Sequence, residues 1–190
     1  MTAFLTLDDI DVSGARVLVR SDLNVPLDEG RVADDFRIRS SLPTIARLRE
    51  AGAVVTVASH LGRPDGRDPS LSMAPIGERL GELGGFPVTA LPAVAGEEVS
   101  AAVAAADPGD VLLLENTRFH AEEKKNDPDF AQQLASLADL HVNDAFGTAH
   151  LAHASNVGAA QFMPSSAGFL LENEIEFLGN ALASPQHPFV

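Results

Sequence analysis

RVLVRSDLNVP, residues 16–26, decides the fold: a short apolar run rich in valine passes directly into Ser, Asp, Asn and Pro. The pattern recurs three times. AVVTVA (53–58) passes into SHLGRPDG, VLLLE (111–115) into NTRFH, and LHV (140–142) into NDAFGTAHLAH. An apolar run of this length bounded by turn chemistry predicts a buried strand. Helical patterns fill the intervals. FRIRSSLPTIARLREAG (36–52) carries Ile38, Leu42, Ile45 and Leu48 at helical spacing and stops at Gly52, with Pro43 predicting a kink or a late start. MAPIGERLGELGG (73–85), EEVSAAVAAADPGD (97–110) and DPDFAQQLASLAD (127–139) predict three more helices, and FPVTAL (86–91) a further short strand. This alternation predicts an α/β fold with a mostly parallel sheet covered on both faces. SSAGFLLENEIEFLGNALAS (165–184) predicts a last helix whose apolar face is wide, formed by Leu171, Ile175, Leu178 and Leu182 with Leu170, Phe177 and Ala181 beside them. The apolar, strand-like PQHPFV follows it, and together they favour a helix that lies between two bodies.

In an open α/β sheet, ligands bind in the crevice at the carboxyl ends of the strands. The polar bursts sit at those ends and hold four of the six histidines, a pattern that points to an anionic ligand. The whole chain carries a net charge of −14, which argues against a nucleic-acid partner but leaves room for a small anion in a local basic pocket. Its cations are eleven Arg and two Lys, Lys124 and Lys125. A guanidinium grips phosphate or carboxylate with two parallel bonds, although a GC-rich coding sequence would give the same excess. A length of 190 residues with 45% hydrophobic ones suits one domain with a sizeable core. The absence of cysteine excludes disulfides, thiolate catalysis and Cys-ligated zinc, and is compatible with the cytoplasm. MTAFLTLDDIDVSG has neither a basic start nor a long apolar stretch, so no signal peptide is expected; with no apolar run of about 18 residues, neither is a membrane-spanning helix.

The loops then sort by chemistry. No GxxxxGK[ST] occurs and no GxGxxG follows a strand, so nothing here is expected to hold ATP. In SDLNVP, Asp22 and Asn24 have the alternate spacing that would turn both to one side of the crevice; an Asx turn is the simpler alternative. In SHLGRPDG, Gly62 permits close backbone approach and His60 and Arg63 flank it. Arg118 directly follows a strand too apolar to be exposed, so it must meet an anion or a partner, with Glu115 and Asp144 the candidates. Asp144, His150 and His153 fit an anion site, an H-x-x-H zinc site, or histidines satisfied in the core. Arg37 opens the first long helix, where a surface charge is the ordinary reading.

Six segments in order and register resemble the amino-terminal half of phosphoglycerate kinase: VLVRSDLNVP, DDFRIRSSLPTI, SHLGRPDG, LLLENTRFHAEEKKNDP, VNDAFGTAHLAHAS and AGFLLENEIEFLGNAL. The resemblance implies a Rossmann-like open sheet, ending in an interdomain helix. It divides the chain into a substrate-binding α/β domain at 1–164 and a helix and hinge segment at 165–190. It implies an enzyme that transfers a phosphoryl group between 1,3-bisphosphoglycerate and ADP, giving 3-phosphoglycerate and ATP in glycolysis. The nucleotide, as Mg-ATP or Mg-ADP, would be held by a carboxy-terminal domain absent from these residues. No cofactor or metal is expected on this half, and the isolated chain is expected to bind 3-phosphoglycerate without catalysing. Carried over by motif, the substrate pocket comprises Asp22, Asn24, Arg37, His60, Arg63 and Arg118, with His150 and His153 lining it. Arg37 would face the transferring group, Arg63, Arg118 and His60 the 3-phosphate, and Asp22 and Asn24 the carbinol hydroxyl. Leu151 stands where the family has an Arg between the two histidines, and Asn173 where it has a Lys; Ser21 and Leu23 are milder departures. A carboxylate acceptor, with a reference pKa around 4, is already ionised at neutral pH and needs no general base. Two other readings stand beside this one: a bare anion-binding module, and a metal-dependent hydrolase using Asp144, His150 and His153.

Overall fold

Side chains alternate across a strand, and in β1 (Arg16–Ser21) both sides are dry: Val17 and Val19 are buried in one helical layer and Leu18 in the other. This is a computed structural model that describes residues 4–183. After β1 come an antiparallel hairpin of β2 (Leu27–Asp28) and β3 (Arg31–Val32), then α1 (Phe36–Glu50) and β4 (Val54–Ala58). There follow α2 (Ala74–Gly84), β5 (Val88–Ala90), α3 (Glu97–Ala104), β6 (Val111–Leu113), α4 (Ala121–Lys125) and α5 (Pro128–Ala135). The chain continues through β7 (Leu140–Asp144), α6 (Phe146–Ala149), β8 (Ser165–Ala167) and α7 (Phe169–Ala183). Six strands form one parallel sheet in the order β5-β6-β4-β1-β7-β8, the open α/β sheet expected from the sequence. The chain leaves β1 toward β4 on one side and returns to β7 on the other, so the strand order reverses at β1 and a crevice opens at its carboxyl end.

Two apolar layers fix the sheet. Ile38, Ile45 and Leu48 of α1 and Ile76 and Leu80 of α2 join Val17, Val19, Val55 and Val57. Val99 and Val103 of α3 and Phe130 and Leu134 of α5 join Leu18, Leu112 and Leu114. Each such side chain contributes roughly 1.5–3 kcal/mol by leaving water. That burial also explains Pro43, which neither delays nor ends α1. Ile38 and Ser41 are buried before it and Thr44, Ile45 and Leu48 after it, which outweighs the ~3 kcal/mol a proline costs inside a helix.

The last helix is shorter than its sequence predicts. Ser165–Ala167 form β8 on the outer edge of β7, with His141 opposite Ser165 and Asn143 opposite Ala167. Three small residues offer no helical stripe, and the open edge of β7 gives their backbone partners. The helix begins beyond Gly168, whose N–H donates to the Asn143 carbonyl at 2.8 Å. Leu171 of α7 is buried, whereas Phe177, Leu178 and Leu182 are exposed. The segment 185–190, expected to be strand-like, lies outside the described residues. Among those described, no helix is long and apolar enough to cross a membrane.

Candidate functional site

Buried and half-buried amide side chains stitch together the loops at the carboxyl ends of β1, β4, β6 and β7. Asn116, after β6, is fully buried. Its Oδ1 accepts from the Leu61 N–H at 3.2 Å and the Arg118 N–H at 3.1 Å, and its Nδ2 donates to the carbonyls of Leu61 (2.8 Å) and Leu71 (2.9 Å). Asn24 Oδ1 accepts from the Gly62 N–H at 2.8 Å and so ties the β1 loop to the β4 loop. Gly62 sits at φ +63°, where a Cβ would also lie 3.1 Å from Leu71. In the β7 loop, Asn156 donates to the carbonyls of Thr148 (3.0 Å) and Leu151 (3.1 Å) and accepts from Asn143 Nδ2 at 2.5 Å. A scaffold tied at this many points holds its charged groups in place before any ligand arrives.

The charged groups then meet in the crevice. Arg37, half-exposed at the start of α1, donates Nη1 to Asp22 Oδ2. Gly147 packs so close to this pair that a Cβ there would lie 2.7 Å from Asp22 Oδ2. Behind them Arg20 is 1% exposed, and its partners among the described residues are all neutral: Ser155 Oγ at 2.9 Å, His60 Nδ1 at 3.1 Å, and the Ser21 carbonyl. Burial, reinforced by the positive charges of Arg20, Arg118 and Arg37 and by His153, pushes the His60 pKa down to about 2, so the ring is neutral. Arg118 donates Nη1 to the Gly62 carbonyl at 3.2 Å, while its buried Nε has no partner among the described residues. Burial lowers its pKa, as does Arg63, against the pull of Glu123 and Asp22. His153 is buried with Nδ1 4.0 Å from Glu123 Oε1, and burial holds its pKa below the ordinary value.

The structure therefore gathers Asp22, Arg37, His60, Arg118 and His153, and the exposed Arg63 joins them through its effect on Arg118. Asn24 braces the backbone of the neighbouring loop, and His150 is exposed. Two expectations fail. Glu115 is not the partner of Arg118: its carboxylate accepts from Ser72 Oγ (2.9 Å) and the Met73 N–H (2.8 Å), holding the segment that leads into α2. Asp144 is not its partner either, because its Oδ1 accepts from the Leu170 N–H at 2.9 Å in the first turn of α7. The metal reading loses its geometry with it, since among the described residues no three His, Asp or Glu side chains gather where they could hold an ion. Sequence reasoning passed over Arg20, Ser155 and Glu123, the last two joined by hydrogen bonds at 2.5 and 2.9 Å.

Two clefts flank the β2–β3 hairpin. One, of about 670 Å³, is lined by Asp34, Asp35, Glu78 and Glu82 together with Arg31 and Arg79, a predominantly acidic wall that disfavours an anion. The other, of about 560 Å³, reaches Asn24 and Gly62 at the edge of the crevice. The concentration of guanidinium groups lies at the strand ends.

The family model "Phosphoglycerate kinase" matches residues 7–190. The phosphoglycerate kinase of Thermosipho africanus is 56% identical over 187 residues, covering 98% of this chain and 46% of the relative. That of Moorella thermoacetica is 57% identical over 189 residues, covering 99% and 48%. The "Phosphoglycerate kinase, cytosolic" of Triticum aestivum is 55% identical over 186 residues, covering 97% and 46%. Among solved structures, phosphoglycerate kinase from Pyrococcus horikoshii OT3 superposes with a TM-score of 0.89 at 36% identity, covering 97% of this chain and 47% of that one. The Coxiella burnetii enzyme gives 0.84 at 37%, covering 97% and 46%. The chain spans about half the length of the curated relatives it matches. The matches in sequence and in backbone extend over nearly the whole chain, and on that ground the chain belongs to the phosphoglycerate kinase family.

Proposed function

We propose that these residues form the 3-phosphoglycerate-binding half of a phosphoglycerate kinase, the enzyme that passes a phosphoryl group between 1,3-bisphosphoglycerate and ADP. One observation carries the reading: on a chain of net charge −14, Arg20 from β1, Arg37 from the start of α1, neutral His60 and Arg63 from the loop after β4, and Arg118 from the segment after β6 come to one crevice. Arg63, Arg118 and His60 hold the 3-phosphate. Arg37, half-exposed and oriented by Asp22, reaches the group in transfer. Asp22 orients the carbinol hydroxyl, and Asn24 acts with it and through the Gly62 amide. The acceptor carboxylate is already ionised at neutral pH, so the work of this half is to position one anion and offset charge as the second approaches. Mg-ATP or Mg-ADP is the second substrate. The reading assigns its binding to the half of the relatives' length that this chain does not span, and closure of the two halves excludes water. A cytoplasmic location goes with it, as in the name of the wheat relative.

Titration calorimetry on the 190-residue chain tests the reading. We expect saturable 3-phosphoglycerate binding that weakens with added salt, and no ATP heat. Tight ATP binding without a 3-phosphoglycerate signal would overturn it. Mixing or fusing the chain with a family nucleotide domain should then produce phosphoryl transfer that the chain alone lacks.

Position 151 supplies a second test. Leu151 is half-buried between His150 and His153, on a segment whose carbonyl is fixed by Asn156. Leu151→Arg should tighten 3-phosphoglycerate binding about tenfold or more, since a hydrogen bond to a charged group is worth roughly 1.5–3 kcal/mol. An unchanged dissociation constant would place that side chain outside the pocket.

A further inference from the structure

A guanidinium has no acceptor, so where Arg20 Nη2 meets His60 Nδ1 at 3.1 Å the histidine nitrogen takes the bond and its single proton sits on Nε2. A hydroxyl has one proton. Ser155 gives its proton to Glu123 Oε1 at 2.5 Å, which leaves Oγ lone pairs facing Arg20 Nε at 2.9 Å. The second Glu123 oxygen accepts the Ser155 N–H at 2.9 Å, and both residues are fully buried. Every link between Glu123 and His60 thus has one permitted donor direction. The carboxylate of Glu123 offsets Arg20 at one remove, across the hydroxyl, so the guanidinium is compensated without the direct ion pair that would cancel its field in the crevice.

We propose that Glu123, acting through Ser155 and Arg20, is a positioning residue that locks His60 in its neutral Nε2–H tautomer. The ring then offers an N–H, and not a lone pair, to a bound anion. The use of that N–H rests on the 3-phosphoglycerate reading; the lock itself does not. His153, with Nδ1 4.0 Å from Glu123, faces the same carboxylate but lies outside the chain of bonds to His60.

The test is long-range proton–nitrogen NMR of the imidazoles of the 190-residue chain, with 3-phosphoglycerate titrations on the same samples. Wild type should show His60 as the pure Nε2–H form at neutral pH. Ser155→Ala should give a mixture of tautomers and bind the anion about tenfold more weakly. Ser155→Thr, which keeps the hydroxyl, should restore both, and Glu123→Gln should resemble Ser155→Ala. A folded Ser155→Ala chain with the His60 tautomer unchanged overturns the proposal, as does an affinity loss that Ser155→Thr fails to rescue. Should Glu123→Gln not fold, the Ser155 pair still decides. A wild type that binds no 3-phosphoglycerate sinks the functional reading, and the tautomer comparison then judges the lock separately.

Discussion

Arg118→Ala should weaken 3-phosphoglycerate binding by about one to two orders of magnitude while leaving the unfolding midpoint where it was or slightly higher. The unusual pairing of these two effects follows from how the side chain is held. Among the described residues its one side-chain hydrogen bond is to the neutral Gly62 carbonyl at 3.2 Å and its buried Nε finds no partner, and burial and Arg63 both work against its charge. A half-buried cation without a bonded carboxylate, favoured only at longer range by Glu123 and Asp22, carries a desolvation cost that an incoming anion offsets. Hydrogen bonds between charged groups are worth roughly 1.5–3 kcal/mol, hence the range of affinities. Removing the cation relieves its desolvation at the same time, which offsets the loss of the Gly62 contact. Arg118→Lys should fall between, because an ammonium keeps the charge but not the planar fork. Calorimetry and thermal melts on the same samples check both halves. An Arg118→Ala chain that binds as tightly as wild type would remove Arg118 from the phosphate site.

The sheet was legible because its strands are short apolar runs with turn chemistry at each end, and the crevice was legible because those ends carry Arg, His and Asp. What escaped the sequence is whatever depends on which way a side chain points once distant segments meet. Arg20 closes RVLVR and reads as the polar end of a strand; only Ser155, 135 residues away, and His60, 40 away, show that it points inward. Glu123 sits in AEEKKND, which reads as a solvated loop. The five residues of α4 are too few to display a stripe, yet their one turn buries Glu123. Asp144 was open to a simple argument from period. Strand residues alternate, so Val142 and Asp144 share the face with α1 and α7, while His141 and Asn143 turn toward Ser155 and Asn156. That alternation separates Asp144 from the histidine loop and already disfavours a zinc site. The Ser165–Ala167 strand escaped because nothing in three small residues announces an edge; the free backbone of β7 recruits them.

Gly168→Ala should lower stability by about 3–5 kcal/mol, a large share of the roughly 5–15 kcal/mol that holds a domain together. A Cβ at this position would lie 2.4 Å from Asp144 Oδ1 and 2.6 Å from its Cγ. The neighbour cannot swing aside cheaply. Asp144 is fully buried and accepts the Leu170 N–H at 2.9 Å, and the adjoining Phe169 N–H donates to Thr44 Oγ1 at 3.0 Å. Either the carboxylate rotates and leaves that amide unpaired, or α7 lifts off the sheet. Overpacking costs about 1–3 kcal/mol and a buried unpaired N–H about as much again. A melt should fall by about 10 °C in a chain of this length. Asp144 also gives the fold a pH signature. Burial raises its pKa from 3.8 to about 6, against the opposing hydrogen bonds from Thr44 and the backbone of Leu170 and Leu171. The folded carboxyl therefore holds its proton more tightly than the unfolded one. Its contribution is complete below pH 3.8, declines as pH rises and is gone above about 6, a loss of about 3 kcal/mol across that window. Asp144→Asn should flatten that slope. Asp144→Ala should remove the obstacle as well, so that Gly168→Ala adds less on that background than on wild type, the coupling expected of two groups in contact. Full additivity in the double-mutant cycle, or a Gly168→Ala chain that melts with the wild type, would show that α7 does not depend on this carboxylate for its seat on the sheet.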